Sequence, residues 1–127
     1  MRLILVRHAE AESGEPDELR PLTPAGRDVA RALGERLRSV GPDAVISSPL
    51  LRARETAAAI AKAAGIEAES DERLSPGADA DDVRAAVAEK GETVVIVGHQ
   101  PDCGEVVLAL TGEEVRFPPG GAHEVEL

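Results

Sequence analysis

Residues 3–8 read Leu-Ile-Leu-Val-Arg-His, and this stretch decides the fold. Four consecutive aliphatic residues run directly into a cation and an imidazole, with no turn residue between them. A short unbroken aliphatic run is the pattern of a strand buried on both faces, as in a parallel sheet covered by helices. Residues 94–99, Val-Val-Ile-Val-Gly-His, repeat the plan. Two of the three histidines therefore stand just beyond strands of the same kind.

Outward from these two runs, Ala44–Ser47 is a third strand and Ile66–Glu69 a weaker one. Helical patterns fill the gaps. Thr23 followed by Pro24 is an N-cap with proline at the first helical position. Val29, Leu33, Leu37 and Val40 then recur at helical spacing, and Gly41-Pro42 stops the helix. A second helix spans about Leu50 to Ala64 and ends at Gly65. The third starts at the acidic cluster Asp79–Asp82 and stops near Gly91. The fourth runs from about Asp102 to Leu110, ended by Thr111-Gly112. The tail alternates, with His123, Val125 and Leu127 on one face of a half-exposed edge strand. The order β-α-β-α-β-α-β-α-β predicts an α/β sandwich with right-handed crossovers, formed as one domain over residues 1–127.

Composition narrows the function. The chain has one Phe and no Tyr or Trp, so its core is aliphatic and it lacks stacking platforms for bases. A net charge of −10 is the reverse of a nucleic-acid-binding footprint. No apolar stretch is long enough for a membrane span, and the N-terminal run is too short for a signal peptide. The single cysteine, Cys103, excludes an internal disulfide and a cysteine-rich metal site. A soluble cytoplasmic protein, read as a monomer, is expected.

In open α/β sheets ligands bind beyond the carboxyl ends of the strands, at a topological switch point. Arg7, His8 and His99 leave their strands at that edge. If the two strands are neighbours, both imidazoles face one pocket. Residues 47–56, Ser-Ser-Pro-Leu-Leu-Arg-Ala-Arg-Glu-Thr, begin a helix at the same edge, with Arg52 in its first turn. An arginine there opposes the helix dipole unless an anion joins them, a poor choice for stability and a sensible one for phosphate. Arg54 is expected to pair in solvent with nearby acids. Arg20, just before the first helix, is a further oxyanion candidate.

The segments RHAEAE, RPLTPAG, SSPLLRARET and VGHQP occur in the order and approximate spacing of the histidine phosphatase superfamily. The chain resembles the small bacterial phosphohistidine phosphatases of the SixA type over nearly its whole length. That resemblance implies a three-layer αβα sandwich of phosphoglycerate mutase-like fold, its sheet mainly parallel with an antiparallel edge strand. It places the nucleophile on His8 and a phosphate pocket on Arg7, Arg52 and His99, with Arg20 as an additional arginine. It implies a covalent phosphohistidine intermediate and no metal or other cofactor. Flanking arginines are expected to lower the His8 pKa, and a hydrogen bond to its other nitrogen to fix the tautomer.

Relatives that cleave phosphate esters carry a glutamate shortly after an Arg-Leu pair. Here Arg73-Leu74 is followed by Ser75-Pro76-Gly77, with proline about where that acid would fall. The departure favours P–N over P–O cleavage, with Glu72 or Asp79 as acids that swing in if P–O cleavage occurs. The expected substrate is phosphohistidine on a protein. A small-molecule phosphomonoesterase and a non-catalytic phosphate-binding module stand as alternatives. Asp79–Val83 is read as a helix cap rather than a phosphatase Asp motif or a calcium loop, since position 12 from Asp79 is Lys90. Arginines beside His8 argue against zinc. Cys103 reads as a packing residue and His123 as structural. The site is expected to be open and shallow.

Overall fold

The computed structural model describes residues 1–127. Five strands form one sheet: β1 (Arg2–Arg7), β2 (Ala44–Ser47), β3 (Ala68–Ser70), β4 (Thr93–Gly98) and β5 (Ala122–Glu126). Their order is β3-β2-β4-β1-β5. All neighbours are parallel except β5, which pairs antiparallel with β1. Four helices complete the fold: α1 (Pro24–Leu37), α2 (Leu51–Ala64), α3 (Ala80–Val87) and α4 (Asp102–Thr111).

Strand alternation sorts the core into two layers. Leu3, Leu5, Val94 and Ile96 pack with Val83, Ala86 and Val87 of α3 and with Val106 and Val107 of α4. Ile4, Val6, Val95 and Val97 face Leu33 and Leu37 of α1 and Ala53, Ala57 and Ile60 of α2. Helices therefore cover both faces, which is why β1 and β4 read as continuous aliphatic runs. Small residues replace aromatics as the means of tight packing. A Cβ at Gly34 of α1 would lie 2.8 Å from the Ala59 carbonyl oxygen of α2.

The topology creates the switch point. From β1 the chain crosses by α1 to β2, and from β4 it crosses by α4 to β5, over opposite faces. A crevice opens between the carboxyl ends of adjacent strands β1 and β4, where Arg7 is in register with Gly98.

Several sequence expectations shift. The weak strand starts at Ala68 rather than Ile66, because Gly65 is a left-handed cap and the Ile66 amide still donates to Ala61 at 3.0 Å, closing α2. α3 ends at Val87 rather than near Gly91; Ala88 turns extended and Glu89 adopts φ 63°. The Asp43 carboxylate then accepts from the Glu92 and Thr93 amides and feeds the chain into β4. Val29 is 44% exposed, because the inner face of α1 is instead Gly26, Ala30, Leu33, Gly34 and Leu37. Leu127 lies past the end of β5 and is exposed, and His123 is half-buried, so of the three residues expected on the inner face only Val125 is buried. No helix is long and apolar enough to cross a membrane.

Candidate active site

β1 and β4 deliver their histidines to one place. The His8 amide donates to the Gly98 carbonyl at 3.0 Å, which extends the strand pairing past the last ladder residue. The two imidazole rings then lie with centroids 5.2 Å apart, inclined at 61°. They share an open cleft of about 410 Å³ with Arg7, Arg20 and Arg52. Glu10, Pro76, Gln100 and Pro119 form its rim.

Each guanidinium is held by backbone carbonyls. Arg7 Nη1 donates to Phe117 O at 3.0 Å, and its Nε is buried without a protein acceptor. Arg52, 6% exposed on the first turn of α2, donates from Nη1 to Asp17 O at 2.9 Å. Its Nε is likewise buried and unpartnered. Arg20 donates from Nε to Asp17 Oδ1 at 2.9 Å and from Nη1 to Glu12 O at 3.0 Å. The other oxygen of Asp17 meets Arg52 Nη2 at 3.3 Å, so one carboxylate links the two arginines. Their pull holds the Asp17 carboxyl below its usual range.

The hydrogen bond at His8 decides its tautomer. Nδ1 lies 2.7 Å from the Ala9 carbonyl oxygen, an atom that only accepts. The proton of the neutral ring therefore sits on Nδ1, and Nε2 presents its lone pair. Burial lowers the His8 pKa most, opposed by the Ala9 bond and reinforced by the charges of Arg52, Arg7 and Arg20. The sequence correctly named the arginines as one cause, but burial outweighs them. His99 is pushed down to about 4, first by burial and then by His8 and Arg52. Both rings are neutral near pH 7.

These features match a known family. The model for the histidine phosphatase superfamily (branch 1) matches residues 3–76. The chain belongs to the histidine phosphatase superfamily. An uncharacterized protein of Picosynechococcus sp. (PCC 7002) is 32% identical over 95% of this chain and 82% of its own length. A structure of the protein histidine phosphatase SixA complexed with tungstate superposes with a TM-score of 0.88. It is 28% identical, with 100% of this chain and 88% of that one covered. The probable phosphoglycerate mutase GpmB of Salmonella paratyphi C is 40% identical over 58% of this chain, which spans only 37% of that protein. The neighbours bear out the phosphoglycerate mutase-like sandwich.

In this histidine phosphatase superfamily member, α2 organises more of the site than Arg52 alone. The Thr56 hydroxyl, fully buried, accepts from the Ala9 amide at 3.1 Å and donates to Arg52 O at 2.9 Å. Thr56 thus anchors the residue whose carbonyl orients His8. Glu55 Oε1 accepts from the Leu22 amide at 2.7 Å, fixing the segment that carries Arg20. Ser48 Oγ lies 2.8 Å from His99 Nε2. None of these three was singled out from the sequence, although all lie in the segment 47–56. The C-terminal segment was also missed. The Gly120 amide, at φ +75°, donates to the carbonyls of Arg7 and His8, the Phe117 carbonyl holds Arg7, and Pro119 lines the cleft.

Other expectations are corrected or placed elsewhere. Arg54 has no acidic partner; its Nε donates to Pro49 O at 2.9 Å. Asp79 is a helix N-cap in a reciprocal capping box with Asp82, and neither it nor Glu72 lines the cleft. The carboxylate on the rim is Glu10, whose Oε1 accepts from the Thr23 hydroxyl at 2.8 Å. Cys103 is buried with its thiol pushed up to about 12, so it stays protonated and inert. His123 lies outside the cleft, edge-on to Phe117. No group of three or more His, Cys, Asp or Glu side chains is arranged to hold a metal ion.

Proposed function

We propose that the protein is a phosphatase that transfers a phosphoryl group to His8 and then to water, with phosphohistidine on a protein as its preferred substrate. The observation that carries this reading is the His8 tautomer. Nδ1 is committed to Ala9 O, which leaves Nε2 as an unprotonated nucleophile in a cleft shared with three arginines and a second imidazole. A protein of net charge −10 places that many cations together for a reason. Arg7, Arg20 and Arg52 grip phosphoryl oxygens and stabilise charge in a loose transition state without a metal.

The His8 Nε2 lone pair forms the new N–P bond as the old P–N bond breaks, its electron pair leaving with the substrate ring. That ring departs as a neutral imidazole when its other nitrogen already carries a proton. Water then attacks phosphorus, the Nε2–P bond breaks with its pair returning to His8, and inorganic phosphate leaves with the water-derived proton lost to solvent. An alkyl phosphate differs, because its alkoxide needs a proton in the transition state. With Asp79 capping α3 and Pro76 on the rim, the site favours P–N cleavage. The similarity to SixA supports the same substrate class.

One observation favours a second reading, a small-molecule phosphomonoesterase: Glu10 stands on the rim as an available acid. The two are separated by measuring a phosphohistidine protein and an alkyl phosphate side by side, in the presence of a chelator. A preference for the phosphohistidine protein, with loss of turnover and of acid-labile phosphoenzyme in His8→Ala, is expected. Faster alkyl phosphate cleavage that Glu10→Gln abolishes would establish the second reading. Full activity of folded His8→Ala would remove both.

A further inference from the structure

His99 is held by one side-chain partner, and counting that partner's hydrogen bonds assigns the ring a tautomer. Ser48 follows β2 and is fully buried. Its amide donates to Val97 O at 3.0 Å, and its carbonyl accepts from the Ser47 hydroxyl at 2.8 Å. The backbone beneath the hydroxyl is therefore fixed from both sides. Ser48 Oγ accepts from the Leu50 amide at 3.2 Å and meets His99 Nε2 at 2.8 Å.

A serine hydroxyl has one proton and two lone pairs. The Leu50 amide can only donate, so it occupies one lone pair. Were His99 Nε2 also a donor, both lone pairs would be filled and the hydroxyl proton would be buried without an acceptor. Folded proteins avoid such orphaned donors. The remaining arrangement has the Ser48 hydroxyl donating to an unprotonated Nε2. The neutral ring then carries its proton on Nδ1, which has no protein partner, and His99 borders the cleft.

We propose that Ser48 is a positioning residue that locks His99 as the Nδ1–H tautomer, so that His99 donates a hydrogen bond to a phosphoryl oxygen. This rests on the proposed phosphatase reading and adds a division of labour to it. Both histidines carry their proton on Nδ1, but they present opposite edges: His8 turns Nδ1–H to Ala9 and offers a lone pair, while His99 turns its lone pair to Ser48 and offers the N–H. A ring in the other tautomer would confront the phosphoryl oxygens with a second lone pair, weakening rather than supporting the arginines.

The test uses nitrogen-15 NMR of the histidine rings in the whole protein without substrate, with inorganic phosphate as the ligand. Wild type is expected to show a proton-bearing Nδ1 and a bare Nε2 at His99. Ser48→Ala is expected to lose that preference and to bind phosphate roughly ten- to hundredfold more weakly, while Ser48→Thr, which keeps the hydroxyl, restores both. An Nε2–H tautomer at wild-type His99 overturns the proposal even if Ser48→Ala fails to fold. Unchanged tautomer or phosphate affinity in folded Ser48→Ala overturns it as well. Failure of the phosphatase reading shows separately, as absence of wild-type turnover with these ring spectra intact.

Discussion

The imidazoles of His8 and His99 stand 5.2 Å apart, each with one nitrogen already bonded to the fold. Their proximity makes protonation of either ring oppose protonation of the other. Burial, Arg52 and Arg20 depress both, with Asp17 pulling His99 modestly the other way. The expected result of a proton NMR titration is a His99 midpoint near 4 and a His8 midpoint below the ordinary 6.5. Both folded-state values lie below the unfolded ones, so the unfolded chain binds protons first on acidification. The stability these rings contribute is complete above pH 6.5 and is lost as pH falls towards about 4. Denaturant unfolding at pH 7 and pH 5 should show a larger drop in wild type than in His99→Gln. A His99 midpoint at or above 6.5 would contradict the site's electrostatics.

Arg52 and Arg20 share Asp17 but differ in surroundings. The Arg52 side chain is 7% exposed and that of Arg20 is 26% exposed. A buried donor beside a forming charge acts in a medium that screens it poorly, whereas water takes over part of an exposed one's role. Arg52→Ala is expected to cut kcat/KM by about 10²–10³-fold. Arg20→Ala should cost about tenfold, in line with a hydrogen bond that water partly replaces. Arg52→Lys should not rescue, since a point charge cannot reproduce the fork that spans Asp17 and the cleft. Equal losses for the two alanine variants, with folding checked by thermal denaturation, would show that burial does not separate their roles.

The strands and the convergence of His8, His99 and Arg52 were legible because each rests on a local pattern: an aliphatic run, the residue just beyond it, and a first-turn arginine. What escaped depends on partners distant in sequence. Nothing near Thr56 says that its hydroxyl reaches Ala9, and nothing near Ser48 announces His99. The Val29 error has a similar cause. Helical spacing fits either Val29 or Ala30 to the inner stripe, and the close approach of α1 to Glu10 and α2, which Gly26 and Gly34 permit, selects Ala30. Ile66 looked like a strand residue because its apolar character serves a helix cap equally well.

Thr56 offers a test of indirect control over the nucleophile. Thr56→Val keeps shape and volume but leaves the buried Ala9 amide without an acceptor, at a cost of about 1–3 kcal/mol. Because the Ala9 carbonyl fixes the His8 ring, kcat is expected to fall as well, and the Nδ1–H preference of His8 in nitrogen-15 spectra should weaken. Thr56→Ser should restore both. A destabilised Thr56→Val with wild-type kcat and an unaltered His8 ring would restrict Thr56 to packing.

Gly26 and Gly34 lie on the same helix, and a methyl group at either meets a backbone carbonyl. In an exposed helix, Gly→Ala stabilises by about 1 kcal/mol. Here the sign should reverse, because a Cβ at Gly26 would run into the Glu10 carbonyl oxygen and one at Gly34 would sit 2.8 Å from that of Ala59. Both Gly26→Ala and Gly34→Ala are expected to lose about 1–3 kcal/mol, as overpacked interiors do. Their effects on activity should part company. Glu10 is two residues beyond His8 and receives bonds from the Thr23 amide and hydroxyl, so pushing it away displaces the nucleophile's own loop. Ala59 is not among the residues that line the cleft. Measured per folded molecule, Gly34→Ala should keep kcat within about twofold of wild type, a change below 0.6 kcal/mol. Gly26→Ala should lower it by at least tenfold. Equal kcat for the two variants would show that the His8–Glu10 segment tolerates displacement by α1, and that the first turn of this helix supports the fold alone.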